Sequence, residues 1–152
     1  MDDLITWLRS QLDDDEQIAN AAARDAGEPV WSAGDEFLSE SVTTAETRSY
    51  IASGPYAGLN WEIRQHIAEY DPARVLREVE AKRRLVELHQ PANPDAVPCE
   101  GYAGWPDKPW FYCATCGSGE PNEYPITWPC ETIKLVALPY ADRPGYLDTW
   151  RP

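Results

Sequence analysis

The four cysteines constrain the fold of this chain more than any other feature. Cys99, Cys113, Cys116 and Cys130 are spaced C-x13-C-x2-C-x13-C. Structural zinc needs four ligands in a tetrahedron, usually a close pair together with distant ones. The segment from Cys113 to Cys116 resembles a zinc knuckle, and Gly117 suits the left-handed backbone that such a turn often needs. We predict that all four cysteines bind one zinc ion.

The predicted neighbours of these cysteines support the same arrangement. Cys130 precedes a predicted final helix over about 130–138, and a helix N-terminus favours a thiolate. Cys99 supplies the fourth ligand from the incoming loop. A knuckle combined with a cysteine at a helix start is typical of treble-clef-like zinc modules. A site with four protein ligands leaves no position for water, so we expect the ion to stabilise the fold and not to catalyse.

Several alternatives to this ligand set stay open from the sequence. His89 can replace one cysteine, although a histidine at a helix end can also simply meet the last carbonyl groups. A redox C-x-x-C pair is disfavoured because Cys113 and Cys116 do not lie between a strand and a long helix. Disulfides and free thiols complete the alternatives. The other histidine, His66, is interpreted as a partly buried, hydrogen-bonded residue.

The charge of the chain restricts its partners. The net charge is −13, and residues 1–60 contain 12 acids and 3 bases. Such a surface repels nucleic-acid phosphates and anionic lipids and suits a basic protein partner. Between residues 91 and 140 the only bases are Lys108 and Lys134, which disfavours nucleic-acid contact by the zinc module. The candidate contact with a partner is the acidic run Asp13, Asp14, Asp15 and Glu16, which is otherwise a solvated helix face.

The expected location is the cytoplasm. The sequence has no apolar run of about 18 residues that would span a membrane. Its N-terminus is acidic, whereas a secretory signal needs a basic start and an apolar core. Cysteines stay reduced in the cytoplasm, which favours metal binding over disulfides. The sequence does not define the oligomeric state.

The pattern of apolar residues predicts an α+β fold that is mainly helical. Leu4, Leu8 and Leu12 repeat at helical spacing, and Asp71-Pro72 is a strong helix start. The predicted order is a helix over 3–25, a small sheet within 29–59, helices over 61–69 and 72–89, an irregular region over 99–130 and the final helix. We expect a single domain over 1–152, with a helical part and sheet in 1–90 and a zinc-stabilised part in 91–152.

Two segments resemble a known family. They are HIAEYDPARVLREVEAKRR at residues 66–84 and PCETIKLVALPYADRPGYLDTWRP at residues 129–152. The segments DPARVLRE and ALPYADRPGY are similar to a domain-of-unknown-function family of small proteins from actinomycetes and their phages. The resemblance implies a cytoplasmic protein of bacterial or phage origin. It implies no activity.

The leading hypothesis is a zinc-stabilised, non-enzymatic interaction protein, such as a phage-encoded or host regulator or inhibitor that binds a protein. One alternative is an enzyme with a site around His66, assisted by Glu69 or Asp71. Another is nucleic-acid binding through the zinc module or through the basic helix face at Arg83 and Arg84. No phosphate loop, HExxH or GxSxG motif is present in the sequence.

Overall fold

The computed structural model describes residues 3–34, 41–53, 59–92, 112–117 and 128–152. Within these ranges the fold is α+β and mainly helical, as the sequence predicts. The elements, in chain order, are α1 (Asp3–Ala26), β1 (Trp31–Ser32), β2 (Ser41–Thr44), β3 (Tyr50–Ser53), α2 (Trp61–Glu69), α3 (Pro72–Leu88), β4 (Pro91–Ala92), β5 (Tyr112–Cys113) and α4 (Glu131–Ala137). Two short 3₁₀ turns, Leu138–Tyr140 and Asp148–Trp150, follow α4.

Helix α1 forms where the leucine spacing predicts it. Leu8 and Leu12 are fully buried and Leu4 is nearly so. Burying each of these side chains stabilises the fold by about 1.5–3 kcal/mol. The helix ends at Gly27, whose φ of 85° is left-handed and whose N–H donates to the Arg24 carbonyl at 3.2 Å. No helix in the described ranges is long and apolar enough to cross a bilayer.

The described chain divides into two compact units. One contains Met1–Gln11 and Lys82–Pro152, and the other contains Leu12–Ala81. The prediction of a single domain with a boundary near residue 90 stays a prediction.

The Leu12–Ala81 unit contains a three-stranded antiparallel sheet of order β1-β2-β3. The central strand β2 is buried along its whole length, and Val42 has no exposed surface. Its ladder with β3 is interrupted between Val42 and Thr43 by a bulge-like register shift. Helix α2 packs against β1 and β2. The small sheet predicted for residues 29–59 is therefore present.

Asp71 connects α3 to the sheet in the same unit. One carboxylate oxygen accepts the N–H of Arg74 at 2.7 Å, which is an N-cap bond, and the other accepts the N–H of Trp31 at 3.3 Å. Pro72 occupies the first helical position, where its missing N–H is not needed. The predicted start of α3 is confirmed.

The other unit contains the C-terminal segment and the first turns of α1. Ile133, Val136 and Ala137 form the buried side of α4. Trp7 packs against Tyr146 and Trp150, with ring centroids 5.6 Å and 5.3 Å away. Tyr146 and Trp150 therefore pack against the first turns of α1.

Helix α2 differs in one respect from its sequence pattern. Trp61, Ile63 and Tyr70, which lie in this helix or just after it, are each about half exposed. The buried residue of α2 is Arg64. Burial in this helix therefore does not follow the apolar character of its side chains.

Candidate metal centre

His89 is held at the end of α3. Its backbone N–H donates to the carbonyl of Leu85 at 3.0 Å, so it continues the hydrogen bonding of the helix by one residue. The side chain is buried, with 9 % of its surface exposed. This position directs the imidazole into the protein and not to water.

A two-stranded ladder brings the first cysteine to this histidine. β4 pairs with β5 in antiparallel orientation, with Pro91 opposite Cys113. The N–H of Ala114 donates to the carbonyl of Gln90 at 2.9 Å and extends the pairing by one bond. Because β4 starts two residues after His89, the ladder places Cys113 close to the imidazole.

Residues 113–117 form the tight turn that the C-x-x-C spacing predicts. The N–H of Gly117 donates to the carbonyl of Cys113 at 2.7 Å, and the N–H of Cys116 lies 3.4 Å from the Cys113 sulfur. The Thr115 hydroxyl donates to the carbonyl of Leu88, which ties the turn to the end of α3. This turn brings two sulfurs to one point and aims a backbone N–H at one of them.

Cys130 is the N-cap residue of α4. Its carbonyl accepts the N–H of Lys134 at 3.2 Å, the first bond of the helix, and its side chain is buried. The prediction that a cysteine at the start of the last helix joins the cluster agrees with this position.

The four side chains converge on one point. Their ligand atoms, the imidazole nitrogen and three sulfurs, all lie within 4.8 Å of one another. His89 Nδ1 is 3.3 Å from the sulfurs of Cys113 and Cys116 and 3.6 Å from that of Cys130. For zinc–sulfur bonds of about 2.3 Å and a zinc–nitrogen bond of about 2.0–2.1 Å, a tetrahedron gives N···S edges of about 3.6 Å and S···S edges of about 3.8 Å. The three N···S distances are therefore close to the edges of a tetrahedral metal site, and the sulfurs lie within 4.8 Å of one another.

The protein environment shifts the pKa values of the Cys113 and Cys130 thiols in opposite directions. Burial is the main cause that raises the pKa of the Cys130 thiol to about 11, and the neighbouring Cys113 and Cys116 act in the same direction, against a bond from the Ile133 N–H that acts to lower it. Burial also acts to raise the pKa of Cys113, but bonds from the N–H groups of Cys116 and Thr115 outweigh it, so the pKa of Cys113 is lowered. A metal ion would bind all three sulfurs as thiolates, so its positive charge would dominate these effects.

Three of the four predicted cysteine ligands lie in this cluster, and all three are free thiols. Cys99 lies outside the described residues, so its role as a ligand stays a prediction. The alternative in which His89 joins three cysteines matches the observed geometry. The interpretation of His89 as a helix-end imidazole does not, because Nδ1 faces sulfurs.

The other candidate residues lie elsewhere. Asp13 and Asp14 are exposed on α1, and Asp15 and Glu16 beside them are partly buried. His66 is exposed, not partly buried as predicted, and its ring lies 4.7 Å from that of Tyr70. The run Asp13, Asp14, Asp15 and Glu16 stays a predicted partner contact.

The sequence contained a signal for the histidine ligand. His89 precedes Cys113 by 24 residues, directly before a Gln-Pro pair that ends the helix. A histidine just after a helix end and upstream of a knuckle can fold back with the connecting strand. Because the four cysteines already form a complete ligand set, the spacing alone does not favour His89 over Cys99.

Comparison with known proteins identifies a family for this chain but no activity. Neither the curated proteins nor the solved structures give a match. A family model described as a family of unknown function (DUF6221) matches residues 1–152. The match covers both segments on which the resemblance was based. The chain therefore belongs to the DUF6221 family, whose function is unknown.

Proposed function

We propose that this protein binds one structural zinc ion through His89, Cys113, Cys116 and Cys130. The observation that carries the proposal is the set of distances from His89 Nδ1 to three sulfurs, 3.3 Å, 3.3 Å and 3.6 Å. They are close to the edge of a tetrahedron around zinc. Three thiolates and one imidazole complete four-coordination, so the site is closed and its role is to stabilise.

The donor set supports zinc over other metals. Thiolate ligands combined with imidazole in a tetrahedron favour zinc, whereas magnesium and calcium prefer oxygen ligands. Iron–sulfur clusters are held mainly by cysteine thiolates alone. The ion would link three parts of the chain: the end of α3, the turn at residues 113–117 and the start of α4.

A pair of variants separates His89 from Cys99 as the fourth ligand. We expect purified wild-type protein to contain one zinc per chain by elemental analysis. His89→Ala should lose most of the zinc or bind it much more weakly, and Cys99→Ser should keep it. The reverse result, with zinc lost in Cys99→Ser and kept in His89→Ala, would support the four-cysteine set and refute the proposed one.

At the level of cellular role, we propose a cytoplasmic interaction protein that binds a basic protein partner, as a host or phage-encoded regulator or inhibitor. The net charge of −13 favours association with a basic surface and speeds the encounter. The closed metal site supports a scaffold role for the ion, because it offers no open coordination position for a substrate. Reduced thiols, three of which are free in the structure, suit the cytoplasm.

Affinity capture from a bacterial lysate with washes of rising salt tests this role. The test variant neutralises the acidic run of α1, with Asp13→Asn, Asp14→Asn, Asp15→Asn and Glu16→Gln. The control variant removes the same number of charges at exposed positions elsewhere, with Glu62→Gln, Glu87→Gln, Glu131→Gln and Asp142→Asn. We expect a basic protein to be retained at low salt by wild type and control but not by the test variant. Equal loss from both variants would show that the α1 run is not the contact.

A further inference from the structure

Arg64 is a buried cation that has no partner of opposite charge among the described residues. Only 7 % of its surface is exposed, although it lies on the short helix α2. One guanidinium nitrogen, Nη1, donates to the carbonyl of Ala33 at 2.8 Å. The Nε–H group is buried and has no hydrogen-bond partner within the described ranges of the chain. Within the part of the chain that the structure describes, no carboxylate forms an ion pair with Arg64.

Such a buried, unpaired guanidinium is unfavourable for folding when no ligand is bound. Removing a charge from water is costly unless a counter-charge and hydrogen bonds replace the lost hydration. The ring of Trp61, 5.1 Å from the guanidinium carbon, offers a cation–π contact but no acceptor for Nε–H. Residues that lower stability without a structural benefit are expected at functional sites. Arg64 therefore points to a ligand that supplies the missing negative charge.

The free edge of the guanidinium indicates the shape of that ligand. Because Nη1 is bonded to Ala33, the edge formed by Nε and Nη2 is left for another acceptor. This edge presents two parallel N–H groups, which match the two oxygens of a carboxylate. The indole Nε1 of Trp31, two residues before Ala33, is a second buried donor for which the described segments provide no acceptor. A ligand that only accepts hydrogen bonds suits this surplus of donors.

We propose that Arg64 binds the carboxylate of a small organic acid whose apolar part packs on Trp61. Trp61 is 49 % exposed and its ring already faces the guanidinium, so it can contact both the guanidinium and a bound molecule. A carboxylate monoanion is favoured over a phosphate dianion because the chain itself carries a net charge of −13 and repels higher charge more strongly. Arg64, Trp61, Trp31 and Ala33 all belong to the Leu12–Ala81 unit.

Nuclear magnetic resonance of the arginine Nε–H groups tests the proposal on the intact protein. Phenylacetate, acetate, inorganic phosphate and chloride are titrated at matched ionic strength. We expect phenylacetate to shift the Arg64 Nε–H resonance downfield and to saturate at lower concentration than acetate. Arg74 is the internal control, because its Nε–H already donates to Glu78 at 2.9 Å and should not move. No shift of Arg64 with either carboxylate would overturn the proposal, as would a larger shift with phosphate.

Substitutions separate a ligand site from a structural arginine. Arg64→Lys keeps the charge but loses the two-donor edge. We therefore expect phenylacetate to bind this variant at least about tenfold more weakly than wild type. Arg64→Met should be folded, at least as stable as wild type, and unable to bind. A marked loss of stability in Arg64→Met, with no carboxylate binding by wild type, would assign a structural role. Asp35 and Glu36 closely follow Ala33 in the sequence. A shift of the Arg64 resonance in unliganded Asp35→Asn or Glu36→Gln protein would reveal an internal ion pair and refute the proposal.

Discussion

Gly145 lies where the backbone and a neighbouring side chain both exclude a larger residue. Its φ of 87° is left-handed, and a Cβ atom at this position would lie 2.9 Å from Nε1 of Trp7. The same indole nitrogen donates to the carbonyl of Pro144 at 3.0 Å. This single glycine therefore allows the C-terminal segment to approach α1 closely enough for the bond to form.

We expect Gly145→Ala to destabilise the protein by more than about 2 kcal/mol. The left-handed backbone alone costs an alanine about 1–2 kcal/mol, and displacement of the Trp7 ring adds to it. Gly27→Ala is the matched control, since Gly27 has nearly the same φ, 85°, with nothing within 4 Å of its Cβ position. Urea unfolding followed by circular dichroism measures both. Equal losses for the two variants would contradict a role for the contact with Trp7.

Individual side chains were the least predictable level of this structure. Arg64 occupies the buried face of α2 although Trp61, Ile63 and Tyr70 beside it are more apolar, and no periodicity rule anticipates that choice. His89 could be recognised as an alternative ligand but not preferred, because its pairing with Cys113 depends on the β4–β5 ladder. Such contacts are set by tertiary packing, which spacing in the sequence does not contain.

At the level of elements, Glu28 organises the turn between β2 and β3. Its carboxylate accepts the N–H of Thr47 at 2.9 Å, the N–H of Glu46 at 3.1 Å and the hydroxyl of Thr47 at 2.9 Å. These bonds, led by the one from the Thr47 backbone, hold the pKa of Glu28 below its usual value. The turn is therefore stabilised by a charged cap from outside the two strands.

This cap predicts a pH dependence of stability. Because the pKa of Glu28 is lower in the folded state, its contribution is complete above the unfolded pKa and is lost as the pH falls through the folded pKa. We expect Glu28→Gln to be less stable than wild type at neutral pH, and the difference in free energy of unfolding to shrink on acidification. Glu87→Gln, which removes an equal charge from an exposed site, should show no such convergence. A difference that stays constant with pH would contradict the assignment.

The helices could be predicted from the sequence because helical spacing and cap residues are local sequence signals. The leucines of α1 repeat at helical spacing, and Asp71-Pro72 fixes the start of α3 through a cap bond that the structure contains. The strands of the small sheet were less certain, because each has at most four residues and their order depends on pairing between distant segments. Elements whose ends are set by caps and prolines could be predicted, and strand partners could not.

At the scale of the whole molecule, the proposed zinc ion joins segments that are far apart in the sequence. His89 and Cys130 are separated by 41 residues, and their ligand atoms lie 3.6 Å apart. A closed site of this kind contributes its binding energy to folding. The stability of the unit that contains the ligands should therefore depend on the metal.

Removal of the metal by a chelator tests this dependence. We expect chelation to speed amide hydrogen exchange in residues 89–92, 112–117 and 130–137 by at least about tenfold, because the loss of the ion releases all three segments. Exchange in β2, which lies in the other unit, serves as the internal control and should change little. Uniform acceleration across both units would show that the metal stabilises the whole chain, and no change would show that it stabilises neither.

X-ray absorption at the zinc edge of the purified protein tests the ligand set most directly. The structure predicts a four-coordinate ion with three sulfurs at about 2.3 Å and one nitrogen at about 2.0–2.1 Å. A shell of four sulfurs would show that the fourth ligand is a cysteine and not His89. A protein that contains no zinc, or zinc bound mainly by oxygen, would contradict the account.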